Sequence, residues 1–584
     1  MKKIIYILMV ASVMIACNDD FLERYPISEI APENSFKTEQ DLRLYTNSFY
    51  NDVPSIDNIA KGDNISDNVL YNGVPTEQSG LRIVPSESGT GGWSWGDLRK
   101  INTFFAYYEQ CDDEAAKKEY AGVARFFRAW FYFEKVKRFG DVPWYTEVIG
   151  SKDEELLTKP RDSRVVVIDN IIADLDVAIE NLNDDKASDE VTKWAALALK
   201  SRVCLFEGTF RKYHTELNLP DSDKLLELSW QAAQEVIDKS PYALYETGNP
   251  DVDYRDLFAS NDLKEKEVIL GRRYSSELDV IHSINYFFTS ATQKDVGLGK
   301  VLINSYLMST GNAFTDQADY ESIEFVDETN GRDKRLEQTI RTPGYMRIGG
   351  ELELLPDFSA SMTGYQVIKF VSDESMDGHQ GAYQDIAIIR FAEVLLNYAE
   401  AKAELGIIDQ ADVDKTIRLI RNRVGMPNLD VANANSNPDT YLANQYPNVS
   451  GDNQGIVLEV RRERRIELAM EGFRYYDLMR WKSGKVLEEY IVGMYFPSLG
   501  EFDLDGDGTM DVLLYEGEDP LPDNKEIQKI KLGDVFTLTN GDSGNLVAFT
   551  NRTKSFDESR DYLYPIPSGD ILLNPALEQN PNWK

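Results

Sequence analysis

Between Leu458 and Trp481 the chain reads LEVRRERRIELAMEGFRYYDLMRW, and no other stretch limits the fold so tightly. Good helix formers run through it, so it reads as one long helix. On a 3.6-residue wheel Val457, Leu468 and Tyr475 share a sector, while Ile466 and Phe473 lie roughly opposite. A helix apolar on several sides belongs among other helices. Yet Arg464, Glu467 and Glu471 project within the sector bounded by Val460, Leu478 and Tyr475, with Arg474 at its edge. The spacings Arg464/Glu467 and Glu471/Arg474 are i,i+3, which allows pairing. Charges carried into a core must be paired, because an unpaired one is strongly destabilising. The expectation is a satisfied Arg/Glu lattice inside a helical core. The alternative is an ordinary charged outer face.

The rest of the chain agrees with a helical frame. Ala121–Phe139 sets Phe126, Phe127, Trp130, Phe131 and Phe133 on one helix, closed by Gly140 and Pro143. Ser163–Leu182, Val191–Phe210 and Leu225–Ser240 read as three amphipathic helices, the last two pairing through small residues. Ile386–Leu405 and Ala411–Val424 repeat that form. Short β-like runs appear at Glu267–Leu270 and Tyr365–Phe370. Asp52–Gly92, Ile284–Ser290, Gly344–Gly350 and Asn428–Gln454 read as loops and inserts. The fold class is therefore mainly α: a tetratricopeptide-like platform of helix pairs, with long irregular loops and a few short β segments.

Charge narrows the partners. A formal net charge of −37 excludes the basic surface that nucleic acid requires, and it opposes docking on anionic lipid. Three Cys form no disulfide framework, and three His form no His-rich metal site. Lys2 and Lys3 precede an apolar run, Ile4–Ile15, too short to span a bilayer. Met14-Ile15-Ala16-Cys17 fits a bacterial lipobox, so 1–16 reads as a signal peptide with lipid attached at Cys17. A plain secretory signal with a chance Cys is the alternative. Residues 17–37 read as an arm, 38–250 as an N-terminal helical region, and 251–584 as a C-terminal region with loop inserts.

Two constellations carry chemistry. In Phe502–Asp511, FDLDGDGTMD, carboxylates alternate around two glycines. Asp503, Asp505 and Asp507 would supply side-chain oxygens, Thr509 a carbonyl, and Asp511 a direct or water-mediated ligand, as in the first half of a calcium loop. Leu514 replaces the bidentate Glu at position twelve and no flanking helices are evident. The reading is an isolated loop stapled by Ca2+, against a polar turn that binds nothing. The second constellation is aromatic. Sugars offer apolar C–H faces to flat rings and hydroxyls to polar neighbours. Trp93, Tyr71, Tyr286 and Phe287 sit in loop-like segments with Asn72, Arg82 and Asn285 near them in sequence, and Trp95 could join. Catalytic motifs are missing: no G-x-S-x-G, H-E-x-x-H or P-loop occurs.

A family resemblance rests on several of these stretches. ERRIELAMEGFRYYDLMRW, RFFRAWFYFEKVKRFGDVPW, RFAEVLLNYAEAKAELG and the tail YLYPIPSGDILLNPALEQNPNW together resemble the SusD/RagB family, from Cys17 to Trp583. The resemblance implies a surface lipoprotein of the outer membrane. It would capture an oligosaccharide or polysaccharide and pass it to a SusC-like TonB-dependent transporter without catalysis. Asn18-Asp19-Asp20 after Cys17 resembles the export signal of surface-exposed lipoproteins. A surface glycoside hydrolase on a helical scaffold, or a helical-repeat protein–protein adaptor, remains as an alternative.

Overall fold

The computed structural model describes residues 35–71, 73–293 and 296–583, so the lipobox and Cys17 lie outside the described residues. The principal helices follow from local signals. Thr38 caps α1 (Glu39–Asn47) through a reciprocal bond with Asp41. Next comes α2 (Gly96–Tyr107), and then the 26-residue α3 (Glu114–Phe139), which starts a full two turns before the expected Ala121. Asp113 caps α3 on the amides of Ala115 and Ala116, and Gly140 ends it with φ 72°. Phe126, Phe127, Phe133 and Phe139 are core residues. On α4 (Arg164–Asn181), Asp174 takes Arg128 at 2.6 and 2.7 Å and so locks the first helix pair.

The second pair is the one expected from sequence: α5 (Lys193–Tyr213) against α6 (Ser222–Lys239). Gly208 allows the approach, since a Cβ there would lie 2.9 Å from Leu226 Cγ. After α7 (Ile284–Thr289), α8 (Phe391–Glu404) packs on α6 and continues the stack. The expected helix Ile386–Leu405 begins instead as a strand, and Ala411–Val424 is interrupted at Thr416 (φ −125°, ψ −84°). Within the Asn428–Gln454 excursion two short helices form, one over Val431–Ser436 and the other α9 (Thr440–Gln445).

The signature stretch is two helices, not one: α10 (Gln454–Glu467) and α11 (Arg474–Arg480). Between them Met470 (φ 64°) and Gly472 (φ 78°) turn the chain. This break aims the amides of Met470 and Arg474 at the buried carboxylate of Asp63, at 3.0 and 3.4 Å. Gly472 also lies against Gly62, where a Cβ would sit 2.5 Å from the Gly472 Cα. The chain then ends in a Pro-rich strap carrying α12 (Ser568–Leu573).

The buried lattice is present, with partners other than the expected ones. Glu467 accepts Arg390 at 2.7 Å, Arg423 at 2.6 Å and Arg335 at 3.1 Å. Glu471 accepts Arg390 and Lys369, both at 2.7 Å. Arg464 meets Asp477 at 2.9 Å, and Arg474 meets Asp67 at 2.7 Å. The pairs Arg464/Glu467 and Glu471/Arg474 do not form: the break falls between Glu471 and Arg474, and Arg464 and Glu467, on one unbroken helix, take counter-charges from other elements.

Short antiparallel pairs decorate the helices: β1 (Val69–Tyr71) with β3 (Val296–Leu298), and β2 (Val268–Arg272) with β4 (Ile386–Arg390). A three-stranded sheet joins β5 (Val492–Phe496), β10 (Gly544–Ala548) and β9 (Phe536–Leu538). Another joins β6 (Gly500–Phe502), β7 (Val512–Tyr515) and β8 (Gln528–Lys531). Tyr365–Phe370 is not a strand; it is buried and contributes one isolated bridge, Val367 to Ile340.

Candidate functional site

The five aromatic residues singled out by sequence divide into two places. Trp93 and Trp95 precede α2. Trp93 is 2% exposed and stands edge-on to Phe139, with ring centroids 4.8 Å apart. It was expected on an open loop. Lys135 and Arg138 of α3 hold that loop down by donating to the carbonyls of Gly92 and Gly91, at 2.5 and 2.8 Å, and so make Trp93 a core residue. Trp95 is half-buried and walls a trough of about 400 Å³ with Tyr145, Arg99 and Asn574. Sequence gave no hint of Tyr145 or Asn574 here, since they arrive from the loop after α3 and from the terminal strap.

Tyr71, Tyr286 and Phe287 make the other locus. Tyr71 ends β1, and its ring lies 6.0 Å from that of Phe287 on α7. INYFFTS was expected to be a ligand-facing insert; it is a helical turn whose Ile284, Phe287 and Phe288 anchor inward. Phe287 is therefore a buried support instead of an open ring, and Lys61 places its ammonium 4.2 Å from the ring centre. Tyr71 and Tyr286 remain half-exposed. The Tyr286 hydroxyl pairs with Thr292 Oγ1, and its ring meets His379 edge-on at 5.6 Å. Of the polar neighbours expected, Asn285 is buried and accepts the amide of Ser372. Arg82 is buried against Asp561 at 2.9 Å, and Asn72 lies outside the described residues.

The acidic loop joins β6 to β7, so it tips an antiparallel hairpin flanked in the chain by strands on both sides. Asp503, Asp505 and Asp511 each bring an oxygen within 4.8 Å of the others. Asp507 turns aside and accepts the amide of Thr509 at 2.6 Å. Gly506 and Gly508, at φ 82° and 89°, permit the turn. Partial burial, then the neighbouring carboxylates, raises the pKa of Asp511 above the usual carboxylate value. Such mutual repulsion is what a hard cation relieves.

No described helix is long and apolar enough to cross a membrane. Stacked helix pairs that carry half-exposed rings and an acidic hairpin define a helical scaffold of paired helices with long loops. The comparisons agree. The SusD family model matches residues 266–583, and a second, described as starch-binding and associating with the outer membrane, matches 20–205. The chain belongs to the SusD family. A SusD-like protein of Formosa agariphila is 22% identical over 501 residues, 81% of this chain and 90% of its own. A solved SusD-like protein of Bacteroides fragilis superposes with TM-score 0.70 at 23% identity, over 95% of this chain and 99% of that one. A SusD-like carbohydrate binding protein of the same species gives 0.70 at 23%, over 94% and 100%. At such identities the solved structures speak for the fold.

Proposed function

We propose that the protein captures an oligosaccharide outside the cell, leaves its bonds intact and hands it to a SusC-like TonB-dependent transporter. Lipid on Cys17 would tether it to the outer membrane. The observation that carries the reading is membership of the SusD family, supported by the description of one matching model as starch-binding. Tyr71, whose ring lies 6.0 Å from Phe287, and Tyr286, whose ring meets His379, would each offer the ligand a ring beside Phe287 and Lys61. A pyranose would lay its C–H face on Tyr286 or Tyr71, while its hydroxyls meet His379 and Lys61. Trp95 offers a further ring at the trough. The acidic hairpin would hold Ca2+ through Asp503, Asp505 and Asp511, with Asp507 and the Thr509 carbonyl recruited on binding, and would stiffen the β6–β7 turn.

The test is calorimetric titration of the soluble chain beyond Cys17 with maltoheptaose, laminarihexaose and xylohexaose. Tyr286→Ala and Tyr71→Ala are each expected to weaken a verified ligand about tenfold, which is roughly 1.4 kcal/mol. Wild-type affinity in both variants refutes the face. New reducing ends during incubation refute capture without cleavage. For the hairpin, Ca2+ titration of wild type against Asp505→Asn is expected to lose the heat of binding, and no heat in the wild type removes the metal.

A further inference from the structure

A different cleft, of about 510 Å³, opens between α9 and the chain that leaves α11. Two tyrosines line it, Tyr441 from α9 and Tyr490 from the run before β5. Both rings are pinned. The Tyr441 hydroxyl accepts Asn304 Nδ2 at 3.4 Å, and its ring meets the edge of Tyr320 with centroids 6.1 Å apart. Tyr490 donates its hydroxyl to the Arg552 carbonyl at 2.9 Å while staying 39% exposed. The amides of Asn444 and Gln445 stand on the same wall as Tyr441.

One guanidinium ties the walls together. Arg465 of α10 donates to Asp67 at 3.0 Å and to Gln445 at 3.1 Å, and both of these residues line the cleft. Arg462, three residues earlier on α10, pairs with Asp439, whose carboxylate also caps α9 on the Leu442 amide. The signature helix thus sets the cleft's shape from behind.

The lining also selects a chemistry. Glu489 and Glu558 line it with Lys482 and Lys485, while Asp67 is already neutralised by Arg465 and Arg474. Each lysine is already engaged, Lys482 with Glu216 at 2.5 Å and Lys485 with Glu488 at 2.9 Å. An anionic glycan would meet Glu489 and Glu558 and would have to draw either lysine away from its own glutamate. An apolar ligand would leave amides and carboxylates without partners, which costs affinity. A neutral sugar satisfies both surfaces, because its hydroxyls donate and accept while its C–H face covers a ring. Rings held in place before binding also lose little freedom on contact.

We propose that this cleft is a second saccharide site, selective for neutral oligosaccharides and sharing no residue with the Tyr71–Tyr286 face. It rests on the capture reading for the class of ligand. The test is calorimetry with maltoheptaose, laminarihexaose and xylohexaose, with hexagalacturonate as the anionic arm. The expected result is two binding events for a neutral hexose oligomer. Tyr490→Ala removes one and Tyr286→Ala the other, each by at least tenfold. Asn444→Ala, at an exposed position, weakens the Tyr490-dependent event severalfold and guards against a misfolded tyrosine variant. Loss in Tyr490→Ala alone, with Tyr286→Ala silent, supports the cleft and refutes the ring face. A single event that Tyr490→Ala and Asn444→Ala leave untouched overturns the cleft while capture stands. Hexagalacturonate binding that Tyr490→Ala abolishes overturns the neutral selectivity. Absence of binding by every saccharide overturns capture and the cleft together.

Discussion

Replacing Glu467 with Gln keeps the volume of the side chain and removes one charge from the centre of the lattice. Burial alone would raise its carboxyl pKa, but Arg423, Arg390 and Arg335 hold it well below the usual range. In the variant those guanidiniums, at 2.6, 2.7 and 3.1 Å, would face an amide that offers a single acceptor oxygen. Arg390 keeps Glu267 and Glu471, and Arg335 keeps Asp333 and Glu463. Arg423 is left with Glu267 alone, at 3.2 Å. The loss is therefore that of one broken buried pair, about 3–5 kcal/mol. A control at the surface, Glu488→Gln, loses its pair with Lys485, whose side chains are 33% and 55% exposed. That loss is about 0–1 kcal/mol. Urea unfolding reads both, provided the slope m stays equal between variants. A double-mutant cycle with Arg423→Met should return a coupling energy above about 1 kcal/mol. Wild-type stability in Glu467→Gln, within about 1 kcal/mol, would refute the lattice as a stabilising unit in which this carboxylate is needed.

Three further outcomes follow from burial and charge pairing. Trp93→Ala is expected to cost about 3–5 kcal/mol in urea unfolding while leaving saccharide affinity at the Tyr286 face unchanged, since Trp93 packs on Phe139. His214 stacks on Phe210 and has its pKa pushed down to about 4 by burial, from 6.5. The unfolded chain then binds a proton that the fold refuses, so stability falls as pH drops from 6.5 to 4. Glu404 behaves as an acid. Burial opposes ionisation, but Arg461 and Lys212 bring its pKa down to about 2, so its contribution is present above 4.5 and is lost as pH falls through 2. Urea midpoints between pH 7 and pH 4 are expected to fall less steeply in His214→Gln than in wild type.

The frame was legible because it depends on local signals. Gly140 after an aromatic stripe and the small residues of α5 and α6 announced their roles. The lattice was legible because charged residues interrupt an apolar helix with no polar side left for them. Its pairings were not, because Arg390, Arg423, Lys369 and Asp67 come from elsewhere in the chain. Nor was the break at Met470, which exists to meet Asp63 and Gly62. Trp93 misled for the same reason: a Gly-Gly-Trp loop looks open until Lys135 and Arg138 are seen holding it. Tyr441 and Tyr490 sit in segments without local pattern, so no sequence cue joined them.

Asp67 sits 398 and 407 positions ahead of the arginines it neutralises, Arg465 and Arg474. A polypeptide emerging amino end first therefore exposes that acid, and the early helices beside it, long before either base has been made. The two halves cannot close around each other until the last fifth of the chain is available. Folding of this molecule waits on those late arginines, and any helper that keeps the unfolded chain soluble has the whole of that interval to cover.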